Sequence, residues 1–292
     1  MVDIFNKKLF HLVHSSFLTN SSIRKLLKHN PQLKNLYKMP LTQLKQIFQF
    51  DSSSMEKFTK EFLSIDVHKL IKLYNSKNIF YITYNDPEYP RQLKEIHDPP
   101  LILFYMGDKS LLSKPSIAVV GARAASQYAL KGLDFILPQL IKNNIVIVSG
   151  LAKGTDTYAH EKTINFGGKT IAVLGGGFFH LYPSENKALA GKIVKNHLLL
   201  SEYPPIIKPE RWHFPMRNRI ISGLAKGTVV IQAKKRSGSL ITADMALEAG
   251  REVFALPGPI NDSLSEGTNH LIQQGAKLVT SGSDILEEII LD

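Results

Sequence analysis

From about residue 115 onward, short apolar runs alternate with segments whose apolar residues recur at helical spacing. The predicted strands are 117–120, 145–148, 170–174, 198–201, 228–232, 252–255 and 277–279. The predicted helices between them include 128–142, 155–165, 184–195, 241–248 and 269–274. Most of the strands are continuously apolar, as expected when both faces of a sheet are covered. The alternation predicts an α/β fold with an extended Rossmann-like, mostly parallel, doubly wound sheet.

Residues 1–75 follow a different pattern, in which apolar side chains recur at helical spacing without strand-like runs. Breaks at 19–22, 30–31, 39–40 and 51–54 divide this segment into four or five short helices. Two β-like runs follow, and turn signals lie between them. We therefore expect a small all-helical N-terminal domain over residues 1–75 and the sheet domain over residues 76–292.

The composition limits the cellular compartment and the class of binding partner that fit this protein. The formal net charge of +11 favours a polyanion, although a lysine-rich proteome would produce the same excess. The absence of cysteine excludes disulfides, thiolate metal sites and a cysteine nucleophile, and it fits a reducing cytoplasm. No apolar run approaches the roughly 20 residues that a membrane span needs, and no signal peptide is predicted.

A basic loop rich in glycine and serine, KKRSGS, stands between a predicted strand and a predicted helix. The first N–H groups of a helix lack partners inside the helix, and they carry a partial positive charge. Lys234 and Arg236 add full charges, and Ser237, Gly238 and Ser239 lead into the helix. The loop therefore predicts a ligand that carries phosphate, either a nucleotide or a nucleic acid.

A second basic segment lies just upstream, where Phe214 precedes Arg217, Asn218 and Arg219. An exposed ring can stack on a base while nearby cations follow the phosphate backbone. Phe214 could equally cover the sheet, and Trp212 is expected to do so. The two arginines are not expected to both point into a core, so at least one should face a ligand or a buried carboxylate.

The loop VVGARAAS places Gly121 directly after a predicted strand and Arg123 two residues later. Arg123 could clamp a phosphate through two hydrogen bonds, or it could be a surface arginine beside a turn glycine. The loop lacks the G-x-G-x-x-G spacing of a dinucleotide site. The G-K-T at 168–170 is not a P-loop, because the required first glycine is absent and a strand follows.

No catalytic or metal-binding set is evident. Asp156 and His160 share one helical face, which favours a local capping and hydrogen-bonding pair over an acid–base pair. The sequence contains no H-E-x-x-H, no G-x-S-x-G and no obvious pair of catalytic carboxylates. A basic groove with aromatic residues and no catalytic set favours a protein that handles a nucleic acid over an enzyme.

Long motifs match a known family over about residues 80–292. They are YNDPEYPRQLKEIHDPPLILFYMG at 84–107, VVGARAAS at 119–126, SGLAKGTDTYAH at 149–160, YPSENKAL at 182–189, SEYP at 201–204, FPMRNRIISGLA at 214–225, RSGSLITADMALEAGREVFALPG at 236–258 and EGTNHLIQQGA at 266–276. The sequence closely resembles the DprA (Smf) family of bacterial DNA-processing proteins. Its helical N-terminus is similar to the sterile-alpha-motif-like domain of such proteins.

The resemblance implies a non-catalytic protein without a cofactor, which binds single-stranded DNA, forms a homodimer and helps to load the RecA recombinase in natural transformation. Some members of the family add a C-terminal winged-helix domain, which is not expected here. The resemblance also implies which residues bind DNA, with Lys153 and Lys234 as weaker assignments. These residues are Arg123, Lys153, Phe214, Arg217, Asn218, Arg219, Lys234, Arg236, Ser237, Gly238 and Ser239.

An apolar stripe formed by Leu271, Ile272 and Leu278 lies in a region with little positive charge. The family resemblance supports a homodimer interface there, but helical spacing is equally compatible with packing on the sheet. A two-fold interface uses the same patch on both partners.

Two other classes of function remain open. The first is a nucleotide-binding or nucleoside-monophosphate-hydrolysing enzyme on a related Rossmann-like sheet, such as a phosphoribohydrolase resembling the lysine-decarboxylase-like family. That family's P-G-G-x-G-T-x-x-E motif is missing here, but Glu248 keeps the alternative open. The second is a pure interaction scaffold.

Overall fold

The computed structural model describes residues 2–289, with side chains from residue 4. The chain divides into two compact units, Met1–Pro87 with Pro100–Leu103, and Glu88–Pro99 with Phe104–Asp292. The last N-terminal helix ends at Asn75, where the sequence predicts the domain limit, whereas the first unit continues to Pro87. Among the described residues, no helix is long and apolar enough to cross a membrane.

The first unit contains the predicted group of short helices. Its elements are α1 Val2–Val13, α2 Asn20–His29, α3 Leu41–Phe48, α4 Ser52–Ser64, α5 Val67–Asn75 and the strand β1 Phe80–Thr83. Side chains of Thr19, Asp51 and Asp66 cap α2, α4 and α5 by accepting hydrogen bonds from backbone N–H groups of the first turn. Leucine, isoleucine and phenylalanine side chains from α1 to α4 form one apolar core, as the helical spacing predicts.

The second unit contains the alternating strands and helices. In chain order its elements are α6 Arg91–Lys94, β2 Ile102–Gly107 (from Phe104 onward), β3 Ser116–Val120, α7 Gln127–Lys142, β4 Val146–Ser149, α8 Thr155–Asn165, β5 Thr170–Leu174, α9 Lys187–Asn196, β6 Leu198–Ser201, α10 His213–Leu224, β7 Gly227–Val230, α11 Gly238–Glu248, β8 Glu252–Ala255, α12 Glu266–Gln273, β9 Lys277–Leu278 and α13 Gly282–Ile289. Every residue of β3 to β7 is buried, which confirms that both faces of the sheet are covered.

In the second unit the strand order is β2-β6-β5-β4-β3-β7-β8-β9. All pairs from β6 to β9 are parallel, whereas β2 runs antiparallel to β6. This confirms the predicted mostly parallel, doubly wound fold. From β3 the chain proceeds outward through β4, β5 and β6, and from β7 it proceeds the other way. The loops after β3 and β7 therefore diverge, and such a switch point leaves a crevice at the carboxyl edge of the sheet.

Candidate functional site

A cavity of about 660 Å³ opens at this switch point. The loops around it are joined by hydrogen bonds: the Ser126 N–H donates to the Gln232 side-chain oxygen (3.0 Å), and the Thr155 N–H donates to the Ala122 carbonyl (3.1 Å). The lining residues are Val120, Gly121, Ala122, Arg123, Ala152, Asp156, Tyr182, Arg211, Phe214, Pro215, Arg217, Asn218, Ile221, Ser237, Gly238, Ser239, Ile241 and Thr242. The cavity thus combines two of the predicted anion-binding loops with the predicted aromatic and basic segment.

The N-terminus of α11 forms one wall of the cavity. The helix starts at Gly238, so the last two residues of the predicted basic loop, Gly238 and Ser239, are the first two residues of the helix. The hydroxyl oxygens of Ser237 and Ser239 lie 2.8 Å apart, and the Asn218 side-chain amide donates to the Gly238 carbonyl at 3.3 Å. The first N–H groups of α11 and these hydroxyls suit the oxygens of a phosphate.

Arg123 and Phe214 lie together at the cavity. The guanidinium carbon of exposed Arg123 is 5.9 Å from the centroid of the half-buried Phe214 ring, within cation–π range. The ring packs on the backbone after β5, where a Cβ on Gly175 would lie only 2.9 Å from a ring carbon. Phe214 is thereby held in place, with its ring forming part of the cavity wall.

Arg217 forms part of the cavity floor and is only 4% exposed. It donates hydrogen bonds to the carbonyls of Gly150 and Val173, the latter at 2.6 Å, and to the Asn218 side-chain oxygen at 3.1 Å. Burial lowers the pKa of Arg217, and the nearby Asp156 carboxylate opposes that shift. Arg217 therefore connects the loop after β4 to the end of β5 and places a positive charge beneath the cavity.

Arg219 points away from the cavity into the interior. Its terminal nitrogen donates to both carboxylate oxygens of Glu202, at 2.6 and 2.8 Å, and both side chains are 7% exposed. The expectation that at least one of the two arginines would face a ligand or a buried carboxylate is confirmed, because Arg219 binds the buried Glu202 carboxylate. Arg217 is also buried, and it lines the cavity.

Trp212 also differs from its expected position. The sequence predicts that it covers the sheet, whereas 58% of it is exposed. The indole N–H donates to a carboxylate oxygen of Glu210 at 2.6 Å, and the ring meets His213 edge-on with a centroid distance of 4.0 Å. Trp212 precedes α10 directly, where it can be exposed because His213 takes the buried position.

Asp156 and His160 each bond to other neighbours. Asp156 accepts from the Ala152 N–H at 3.2 Å, and burial raises its pKa although Arg217 lies nearby. The hydroxyl of Thr170 donates to the Ile147 carbonyl, so His160 Nδ1, at 2.7 Å, donates to that hydroxyl. Burial lowers the pKa of His160 to about 3, which keeps the ring neutral at pH 7. Within residues 2–289, no cluster of three His, Asp or Glu side chains is arranged to hold a metal ion.

The remaining predicted DNA-binding residues lie outside the lining of this cavity. Lys153 is exposed and forms an ion pair with Glu185. Lys234 and Arg236 are also exposed, and Arg236 borders a neighbouring cavity of about 610 Å³ together with Leu271. Among the lining residues that were not predicted, Tyr182 adds an aromatic ring and Arg211 adds a positive charge. The loop with Tyr182 follows the predicted strand 170–174, which places it at the carboxyl edge of the sheet, but no sequence pattern indicates that Tyr182 itself or Arg211 lines the cavity.

Within the predicted dimer patch the three residues differ in exposure. Leu271 is buried at 5% exposure, Ile272 is half-buried, and Leu278 is 46% exposed. Leu271 therefore packs mainly within its own chain, and Leu278 offers most of the free apolar surface of this stripe.

Fold and site together define a Rossmann-like protein with a basic, phosphate-compatible cavity at the switch point of its sheet. The chain belongs to the DNA recombination-mediator protein A family, whose model matches residues 80–290. It is 46% identical to the DNA processing protein DprA of Streptococcus pneumoniae over 98% of both chains. It is 49% identical to that of Bacillus subtilis over 76% of this chain and 75% of the relative. The predicted family is confirmed.

Two solved structures resemble the chain. The X-ray structure of DprA from Streptococcus pneumoniae superposes with a TM-score of 0.86 at 45% identity, covering 97% of this chain and 98% of that one. A DprA structure from Helicobacter pylori, described as giving insight into a single-stranded DNA binding mode, superposes with a TM-score of 0.65 at 31% identity. It covers 73% of this chain and 96% of that one.

Proposed function

We propose that this chain is a non-catalytic protein that binds single-stranded DNA in the cavity at the β3–β7 switch point. The observation that carries the proposal is the Arg123–Phe214 pair beside the N-terminus of α11. The ring offers a face for a base, and the guanidinium and the helix N-terminus offer contacts for phosphates. The single-stranded DNA binding mode described for the Helicobacter pylori relative supports the same ligand.

The proposed DNA contacts differ in directness. Arg123, Phe214, Asn218 and the Ser237–Gly238–Ser239 turn line the cavity, and Arg217 supports its floor. Three exposed cations outside the cavity lining would contact the phosphates of the DNA strand where it continues beyond the cavity. They are Lys153, Lys234 and Arg236. Arg219, with its buried carboxylate partner, supports α10 instead of contacting DNA.

A comparison of oligothymidine with AMP tests this function. We expect fluorescence anisotropy to show binding of labelled oligothymidine, with AMP a weak competitor that is recovered unchanged. A polymer gains contacts beyond the cavity, whereas a mononucleotide fills one subsite. Preferential binding of AMP, or its hydrolysis to base and ribose phosphate, would instead support the nucleotide-hydrolysing alternative. Failure to bind either ligand would support an interaction scaffold.

We further propose that the bound strand is passed to the RecA recombinase during natural transformation, in the cytoplasm. The membership of the DNA recombination-mediator protein A family supports this role. The protein should accelerate RecA assembly on single strands coated with single-strand-binding protein, measured as the DNA-dependent ATPase of RecA. An unchanged lag in that assay would contradict the role in loading.

We also propose a homodimer through the stripe of Leu271, Ile272 and Leu278. The exposed surface of Leu278 and the family resemblance support it. Two cavities on one dimer would raise the apparent affinity for long strands, because the second contact becomes intramolecular. Light scattering at micromolar concentration should give about twice the chain mass of 32.7 kDa. A monomer mass for the unmodified protein would refute the dimer. A dimer mass that persists in Leu278→Glu would refute this interface.

A further inference from the structure

Tyr182 is a large aromatic residue that remains 57% exposed although it lines the cavity. Its ring centroid lies 5.7 Å from that of Phe214, with 59° between the ring planes. At this spacing no base fits between the two rings, so a base on Tyr182 would stack on the face turned away from Phe214. Two adjacent aromatic surfaces on one nucleic-acid cavity correspond to two bases rather than one.

The loop that carries Tyr182 is fixed to the sheet. The buried Asn186 side-chain amide donates to the Leu151 carbonyl and to the Thr157 hydroxyl, both at 2.8 Å. The Gly177 N–H donates to the Ile207 carbonyl at 2.8 Å, so the loop is anchored on both sides of Tyr182. A ring on an anchored loop loses little conformational entropy when a base stacks on it.

Two exposed cations are candidates for the phosphate contacts of a base on this ring. Arg211 is exposed and lines the same cavity. The ammonium group of Lys153 forms an exposed ion pair with Glu185, which lies three residues after Tyr182 in the same loop. Exposed ion pairs are weak, so a phosphate could replace the Glu185 carboxylate as the partner of Lys153.

We infer that Tyr182 stacks a second base, next to the one on Phe214, and that Lys153 and Arg211 contact the phosphates of that nucleotide. The inference rests on the proposed single-stranded DNA function and deepens it, because it extends the site toward β5. It also gives Lys153, which lies outside the cavity lining, a defined place along the strand.

Substitution of Tyr182 tests the inference. Tyr182→Ala should weaken oligothymidine binding roughly 5- to 150-fold, the range expected for one stacked base. Tyr182→Phe keeps the ring and should restore most of the affinity. Phe135→Ala is the matched control, because Phe135 is 68% exposed on α7 and outside the cavity lining. Thermal unfolding of all three variants checks that each one is folded.

The outcomes separate this inference from the proposed function. Normal affinity of Tyr182→Ala, with weakened binding of Phe214→Ala, would refute only the second stacking site. If Tyr182→Phe were as weak as Tyr182→Ala, the hydroxyl and not the ring would be the contact, which also refutes stacking. If the unmodified protein does not bind oligothymidine, both proposals fail.

A fluorescent probe provides a second, independent test. Trp212 is the only tryptophan of the chain, so Trp212→Phe with Tyr182→Trp places the sole indole at this position. Stacking of a thymine should quench its emission in proportion to the bound fraction measured by anisotropy. Binding without quenching would overturn the inference.

Discussion

Replacing Arg219 with alanine is expected to lower the free energy of unfolding by about 3–5 kcal/mol. This is the range for removing one partner of a buried ion pair while the other partner stays charged. The variant removes both hydrogen bonds from Arg219 to the Glu202 carboxylate, which stays buried with its negative charge. Urea denaturation measures the effect as a shift of the midpoint. Arg211→Ala, at an exposed arginine, should change the free energy of unfolding by less than about 0.5 kcal/mol.

A double variant shows whether charge is the cause. In Arg219→Met with Glu202→Leu no charge remains in this pair, and only the half-buried Asp98 carboxylate, 3.8 Å from Arg219, loses its ion pair with Arg219, so part of the lost stability should return. Where Arg219→Ala remains folded, its affinity for oligothymidine should be close to normal, because Arg219 does not line the cavity. A stable Arg219→Ala protein with weakened DNA binding would contradict the structural role and place Arg219 in the DNA site.

Replacing Phe214 with alanine is expected to weaken oligothymidine binding by about 1–3 kcal/mol, the contribution of one base stacked on an aromatic ring. The variant also removes the ring over which Arg123 lies, so the position of the guanidinium becomes less defined. Phe166→Ala is the matched control, since Phe166 is 41% exposed and lies outside the cavity lining. Anisotropy titrations of the three proteins give the difference directly.

Stability measurements separate the two possible roles of Phe214. If the variant binds DNA normally but unfolds at lower urea concentration, the ring serves packing against Gly175 and not the ligand. If binding falls while the unfolding midpoint remains within error, the ring is a stacking surface.

The sequence predicts the bounds of four elements correctly. Strands Thr170–Leu174, Leu198–Ser201 and Glu252–Ala255 have the predicted bounds, and so does helix Thr155–Asn165. The helix His213–Leu224 was not predicted. Most of it is buried, so its apolar residues follow no single face, and its second turn contains the two arginines that suggest ligand binding.

Side-chain direction in the site could not be predicted, because the decisive partners are distant in sequence. Arg217 is held by the carbonyls of Gly150 and Val173, and Arg219 by Glu202. The position of the site was predictable, since glycine-containing loops after parallel strands meet at one edge of the sheet. The arrangement of Tyr182 beside Phe214 depends on an anchored loop that no local pattern indicates.

The salt dependence of single-strand binding tests the central claim most directly. Anisotropy titrations of the unmodified protein with labelled oligothymidine, repeated over a range of salt concentrations, should give a linear fall of log affinity with log salt. The slope should be about 0.7 for each neutralised phosphate, and it should be smaller in Arg123→Ala. At each salt concentration the single strand should bind more tightly than a duplex of equal length, because a duplex hides the base faces. An affinity independent of salt, or equal affinity for duplex and single strand, would contradict the account.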